Sequence, residues 1–134
     1  MQWQRAVELW AKGSLRAYCS AVAMRLNSRE TKVSRRNQCI FSIGVIERSN
    51  FTYRDIEGII REQFPESTQG VALNVSGELS RLASGDNPII KRLPNDDAYR
   101  LASPKFRMAI RSMLEKSASG AVVKAEWSSG LRDS

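Results

Sequence analysis

The chain has 134 residues, enough for one domain with a core of its own. Its 42% hydrophobic and 26% charged residues are those of an ordinary globular protein, and 21 Lys and Arg against 14 Asp and Glu leave it at +7. Without histidine, with two isolated cysteines and no glycine-rich phosphate loop, it lacks the residues for a catalytic triad, a closed zinc site or a nucleotide cradle.

No enzyme, metal or cofactor is therefore expected, and the basic balance favours an acidic partner, nucleic acid first. No stretch has the length and apolarity of a membrane span, and the opening MQWQRAVELWAKG lacks a signal-type apolar run. The expectation is a reduced, cytoplasmic protein, nucleoid-associated if it binds DNA.

The first segment, residues 2–27, is helical by pattern. Trp3, Val7 and Trp10 form one stripe, and Leu15, Tyr18, Val22 and Leu26 form another that is out of phase across Lys12-Gly13-Ser14. Tryptophans at a terminus either anchor the core or dock a partner. Trp3, Val7 and Trp10 are thus candidates for a dimer or partner interface. Residues 28–37, SRETKVSRRN, read as a basic linker or a helix start in which Arg35 and Arg36 are candidate phosphate contacts, or as a solvated loop.

A helix is expected from Gln38 to Asn50. Thr52 then caps the next, with Asp55 accepting from first-turn amides, and Ile56, Ile59, Ile60 and Phe64 make its buried stripe until Pro65. Ser67 or Thr68 is expected to cap a third helix over 69–83, with Val71, Val75, Leu79 and Leu82 inward. Its other face carries Gln69, Leu73, Ser76, Gly77, Ser80 and Arg81. Two strands follow, Ile89 to Leu93 and Ala98 to Ser103, joined by the turn Pro94-Asn95-Asp96-Asp97. Ser103-Pro104 starts a last helix with Phe106, Ile110 and Met113–Leu114 buried, and residues 117–134 read as a tail. A short strand or helix around 121–127 is a further option.

The stretches TYRDIEGIIREQF, VSGELSRLASGDNPIIKRLPNDDAYRLAS and PKFRMAIRSML resemble the winged helix-turn-helix superfamily, including winged domains of prokaryotic regulators and of ATPases and defence proteins. The resemblance implies a mainly α fold: a three-helix core with a two-stranded wing over residues 38–116, preceded by an extension and linker at 1–37. It makes 69–83 the recognition helix and 89–103 the wing. Double-stranded DNA is then the implied partner. Gln69, Asn74, Ser76, Ser80 and Arg81 would read bases. Lys91, Arg92, Arg100, Arg35, Arg36 and Arg54 would meet phosphates.

The charge of the third helix leaves a second reading open. Its outer face offers one cation, Arg81, and carries Leu73 near its centre, and Asp96 and Asp97 sit at the wing tip. That composition also suits a winged-helix protein–protein module, or a subunit of a multi-component complex, with Leu73 as a contact. Arg81 could equally be the ion-pair partner of Glu78 or Glu57.

Overall fold

The computed structural model describes residues 15–27, 34–94, 97–118 and 120–125. The Trp3, Val7 and Trp10 stripe, the break at Lys12-Gly13-Ser14, most of the basic linker, and Asn95 and Asp96 lie outside the described residues. Helix α1 (Arg16–Arg25) buries Cys19, Val22 and Ala23, and the flanking Leu15 and Leu26 continue the same apolar face.

Helix α2 (Arg35–Val45) begins three residues before the expected Gln38, because the Ser34 hydroxyl accepts from the Asn37 amide at 3.3 Å. Arg35 and Arg36 are consequently first-turn helical residues, which selects the helix start over the linker for this end of the basic stretch. The helix also ends at Val45, and Asn50–Phe51 form a two-residue strand, β1. Thr52 and Asp55 then build a reciprocal capping box: Asp55 donates its amide to Thr52 Oγ1, and Thr52 donates its own to Asp55 Oδ2 at 2.9 Å. This launches α3 (Tyr53–Gln63), which buries Ile56 and Ile60.

Beyond Phe64 the expectation fails. Pro65–Ser67 make one 3-10 turn, residues 68–74 are irregular, and α4 occupies only Val75–Leu82. The cause is Asn74, whose left-handed backbone (φ 55°, ψ 42°) cannot continue a helix back toward Thr68. The inside–outside pattern before it therefore inverts: Leu73 is 3% exposed, and Val71, expected inside, is 46% exposed. Helix α4 ends as expected ahead of Gly85, which adopts φ +91°.

Strands β2 (Ile90–Arg92) and β3 (Tyr99–Leu101) form the expected hairpin, each a little shorter than read. The sequence reading missed its third member. Strand β1 pairs antiparallel with β3, giving the sheet order β1-β3-β2. On the inner face Phe51 and Tyr99 stack at 6.4 Å, and Ile90 is fully buried.

Helix α5 (Lys105–Met113) follows Ser103-Pro104, with the Ser103 hydroxyl accepting from the Lys105 amide. Its Phe106, Ala109, Ile110 and Met113 pack against both α1 and α2. Tyr18 meets Phe106 edge-on at 5.0 Å, while the α2 crossing is close enough that Gly44 lies directly against Ile110. The chain leaves α5 at Leu114 as a strand instead of continuing to Lys116. There β4 (Leu114–Lys116) pairs with β5 (Val122–Lys124) across a turn that holds Gly120 at φ +85°. The segment read as a tail thus supplies half of a second hairpin, and of the two options around 121–127 it is the short strand that forms.

Among the described residues the fold is mixed α/β, five helices with two small antiparallel sheets. None of the described helices is long and apolar enough to cross a membrane.

Candidate nucleic-acid interface

Helix α4 presents Ser76, Ser80 and Arg81 to solvent, with Asn74 exposed at its N-cap. Gln69 is exposed as well, but it belongs to the irregular segment before the helix. Leu73, expected as an outward contact for a partner, is core: Asn74 turns the chain so that the leucine faces inward. Ser80, Arg81 and Ser84, with Arg25 and Gly85, line a shallow open cleft at the helix's last turn.

Glu78 organises the charge on α4. Its side chain is 15% exposed, and its carboxylate pairs with Arg81 of the same helix at 3.1 Å and with Arg36 of α2 at 3.5 Å. Arg35 turns the other way. It donates to Gln38 Oε1 at 2.6 Å and to the Ser67 carbonyl at 3.4 Å, while Gln38 donates to Ser67 Oγ. Arg35 thus ties α2 to the 3-10 turn and is half-buried, which takes it out of the set of free phosphate contacts.

The sheet is different. Lys91 and Arg100 are register partners, and Asn50 lies opposite Arg100 on the other side. All three are exposed on the same face by strand alternation. Among the described residues, neither the Lys91 nor the Arg100 side chain has an ion-pair or hydrogen-bond partner. Arg92, on the alternate position, pairs with Asp97 at 3.1 Å, so one wing-turn aspartate neutralises one wing cation. Arg54, fully exposed at the start of α3, donates to the Tyr53 hydroxyl at 3.3 Å, and that bond raises the guanidinium's already high pKa.

Sequence reasoning missed a further set of cations, those that bind main-chain carbonyls. Arg25 donates to the carbonyls of Arg81 and Ser84 at the end of α4 (3.0 and 2.6 Å). Arg61 holds those of Thr68 and Val71 (2.6 and 2.8 Å). Arg107 takes the Arg48 carbonyl (2.8 Å), Arg111 takes Gly44 (2.6 Å), and Lys116 takes Gln63 (3.1 Å). Four of these five cations serve carbonyls at or just past a helix C-terminus, where the dipole is negative. Arg107 is partly desolvated: burial, then the neighbouring Arg111 charge, lowers its pKa, and its Nε is buried without a partner. The only sequence signal for this set was the abundance of arginine.

Cys19 and Cys39 are free and buried. Burial pushes their thiols up to about 11 and about 12, the nearby Glu78 charge adding to the second, so both stay protonated at neutral pH. No group of three or more potential metal ligands occurs among the described residues. Comparisons with family models, with curated proteins and with solved structures gave no match.

Proposed function

We propose that this chain is a winged helix-turn-helix module that binds double-stranded DNA, as a regulator or as the DNA-engaging part of a larger assembly. The fold-level support is the order α2–β1–α3–α4–β2–β3 with a β1-β3-β2 sheet. In this reading α4 is the recognition helix and β2–β3 the wing. Asn74, Ser76, Ser80 and Arg81 offer donors and acceptors suited to base edges.

The observation that carries the proposal is the pairing of Lys91 with Arg100 on the open face of the sheet. Two like charges directly opposite one another disfavour the sheet by roughly 0.2–1 kcal/mol. A phosphate backbone laid across that face would relieve the repulsion and gain both cations. The rival protein-binding reading loses Leu73 to the core, and among the described residues Met24, Val45 and Val71 are the exposed large hydrophobics.

Titration of duplex DNA at several salt concentrations tests this directly. The log–log slope should be about −2 or steeper, at about −0.9 per neutralised phosphate. Replacing both Lys91 and Arg100 with Gln should flatten it by nearly two such steps. Arg81→Ala should instead relax preference at one base position. No binding at low salt sinks the proposal and favours the protein-binding module.

A further inference from the structure

We infer that Glu78 is a selectivity element that withholds two arginines from phosphates and so reserves the α4 surface for base edges. The inference rests on the duplex-binding reading above. Helix α4 is small-faced and nearly neutral at Ser76, Gly77 and Ser80, so its interaction with a polyanion is set by the corner where Arg36, Glu78 and Arg81 meet. One carboxylate there serves two guanidiniums: Arg36 Nε at 3.5 Å and Arg81 Nη1 at 3.1 Å. The arginine side chains are 39% and 61% exposed, while Glu78 is 15% exposed, so the carboxylate sits beneath the cations with little solvent to screen it.

The geometry is held from both sides. Arg25 Nη1 binds the Arg81 carbonyl at 3.0 Å, which fixes the turn that carries Arg81. Arg36 stands on the first turn of α2, which packs against α4. A phosphate approaching either guanidinium meets a resident anion that repels it and already holds the donors. A base edge is uncharged and escapes that repulsion. Arg81 Nη2 is not engaged by any described residue, so it remains available to a guanine acceptor while Nη1 stays on Glu78. Discrimination of this kind comes from weakening the wrong complex, here non-specific backbone binding, more than the right one.

The test is Glu78→Gln, which keeps the side chain's size and an oxygen for Arg36 while removing the charge. With random-sequence duplex at low salt, E78Q should bind about three- to tenfold tighter than wild type, and its salt slope should steepen by roughly 0.9 for each arginine released. The gain should disappear in the triple variant E78Q/R36Q/R81Q. Glu78→Met, similar in volume and uncharged, must show the same gain, which guards against a misfolded E78Q; thermal melts of each variant accompany the titrations. A role confined to fastening α4 to α2 would lower the melting temperature without tightening or steepening binding, and that result overturns the inference. So does a gain that survives in the triple variant. If wild type binds and neither uncharged variant gains, the selectivity role falls while the duplex-binding reading stands. If none of the proteins binds, both fall. Binding seen only once the charge is removed sinks the duplex-binding reading of the wild-type chain, and the inference with it.

Discussion

At the seam between α2 and α5, Arg107 and Arg111 direct their guanidiniums at the carbonyls of Arg48 and Gly44. On the solvent face of the three-stranded sheet, Lys91 and Arg100 face one another with no acceptor from a described residue. Both places are rich in cations, yet they differ in what the charge does. A carbonyl satisfies a guanidinium's hydrogen bonds without neutralising it. The seam therefore stays net positive even with Glu47 3.9 Å from Arg111, but it is fixed in geometry and its carbonyl-bound donors are spent on the fold. On the sheet nothing is spent, and the strands are held together in spite of the charges. A net charge of +7 is compatible with either use, so the partner of each cation, not the total, locates a binding face.

The largest effect expected from breaking the seam is steric. An added Cβ at Gly44 would be driven into Ile110 Cγ2, with Ile110 Cβ at 3.0 Å behind it. Gly44→Ala should cost about 1–3 kcal/mol by overpacking, outweighing the gain in helix propensity. Gly58 is its control: it lies on α3 with nothing within 4 Å of an added Cβ. Gly58→Ala should stabilise the protein by roughly 0.5–1 kcal/mol. Opposite shifts in melting temperature are expected from the same chemical change, and a Gly44→Ala protein as stable as wild type would show the helix crossing to be looser than described.

Next in size is the electrostatic side of the seam. Arg111→Ala removes the 2.6 Å bond to Gly44 and a longer one to Val45, leaving carbonyls at the end of α2 to water. A charge-assisted bond contributes about 1.5–3 kcal/mol, reduced here because the Arg111 side chain is 46% exposed. The expected loss is about 1 kcal/mol in a urea titration, with the salt slope of duplex binding unchanged. A flattened slope would move Arg111 from the structural set into the phosphate-binding set.

Local chemistry explains what the sequence made legible. The Thr52–Asp55 box, the stripe Ile56–Ile60 and the Ser103-Pro104 start depend on neighbours within one or two turns, and so do the hairpin strands around the proline turn. The remainder depends on distance or on one backbone angle. Strand β1 exists only because Tyr99 and Arg100 lie beside it, far along the chain. A positive φ at Asn74 turned a helical spacing through Val71 and Val75 into an exposed valine and a buried Leu73. In the candidate site, the exposure of Ser76 and Ser80 followed from helical periodicity, but the strand register did not: alternation suggested Arg92 and Arg100 on one face, whereas Lys91 is the residue paired with Arg100 and Arg92 lies opposite Tyr99. The engagement of Arg35 with Ser67 and of Arg92 with Asp97 did not follow from it either; the Arg81–Glu78 pair was one of the open alternatives, but the hold of the same carboxylate on Arg36 was not. Partner choice among nearby charges is set by packing, which periodicity does not encode.

The smallest expected effect bears most directly on the sheet. If Lys91 and Arg100 are there to meet an anion, removing their charge should not harm the free protein. Lys91→Gln with Arg100→Gln deletes no hydrogen bond to a described residue and leaves the inward Ile90, Tyr99 and Leu101 untouched. It also relieves repulsion between directly opposed like charges, about 0.2–1 kcal/mol. The double variant should therefore unfold at the same urea concentration as wild type or slightly higher, and adding salt to wild type should reproduce part of that gain by screening. A clear loss of stability would mean that these cations are structural after all. The contrast between seam and sheet would then collapse, because the sheet cations, like Arg111, would be contributing to the fold.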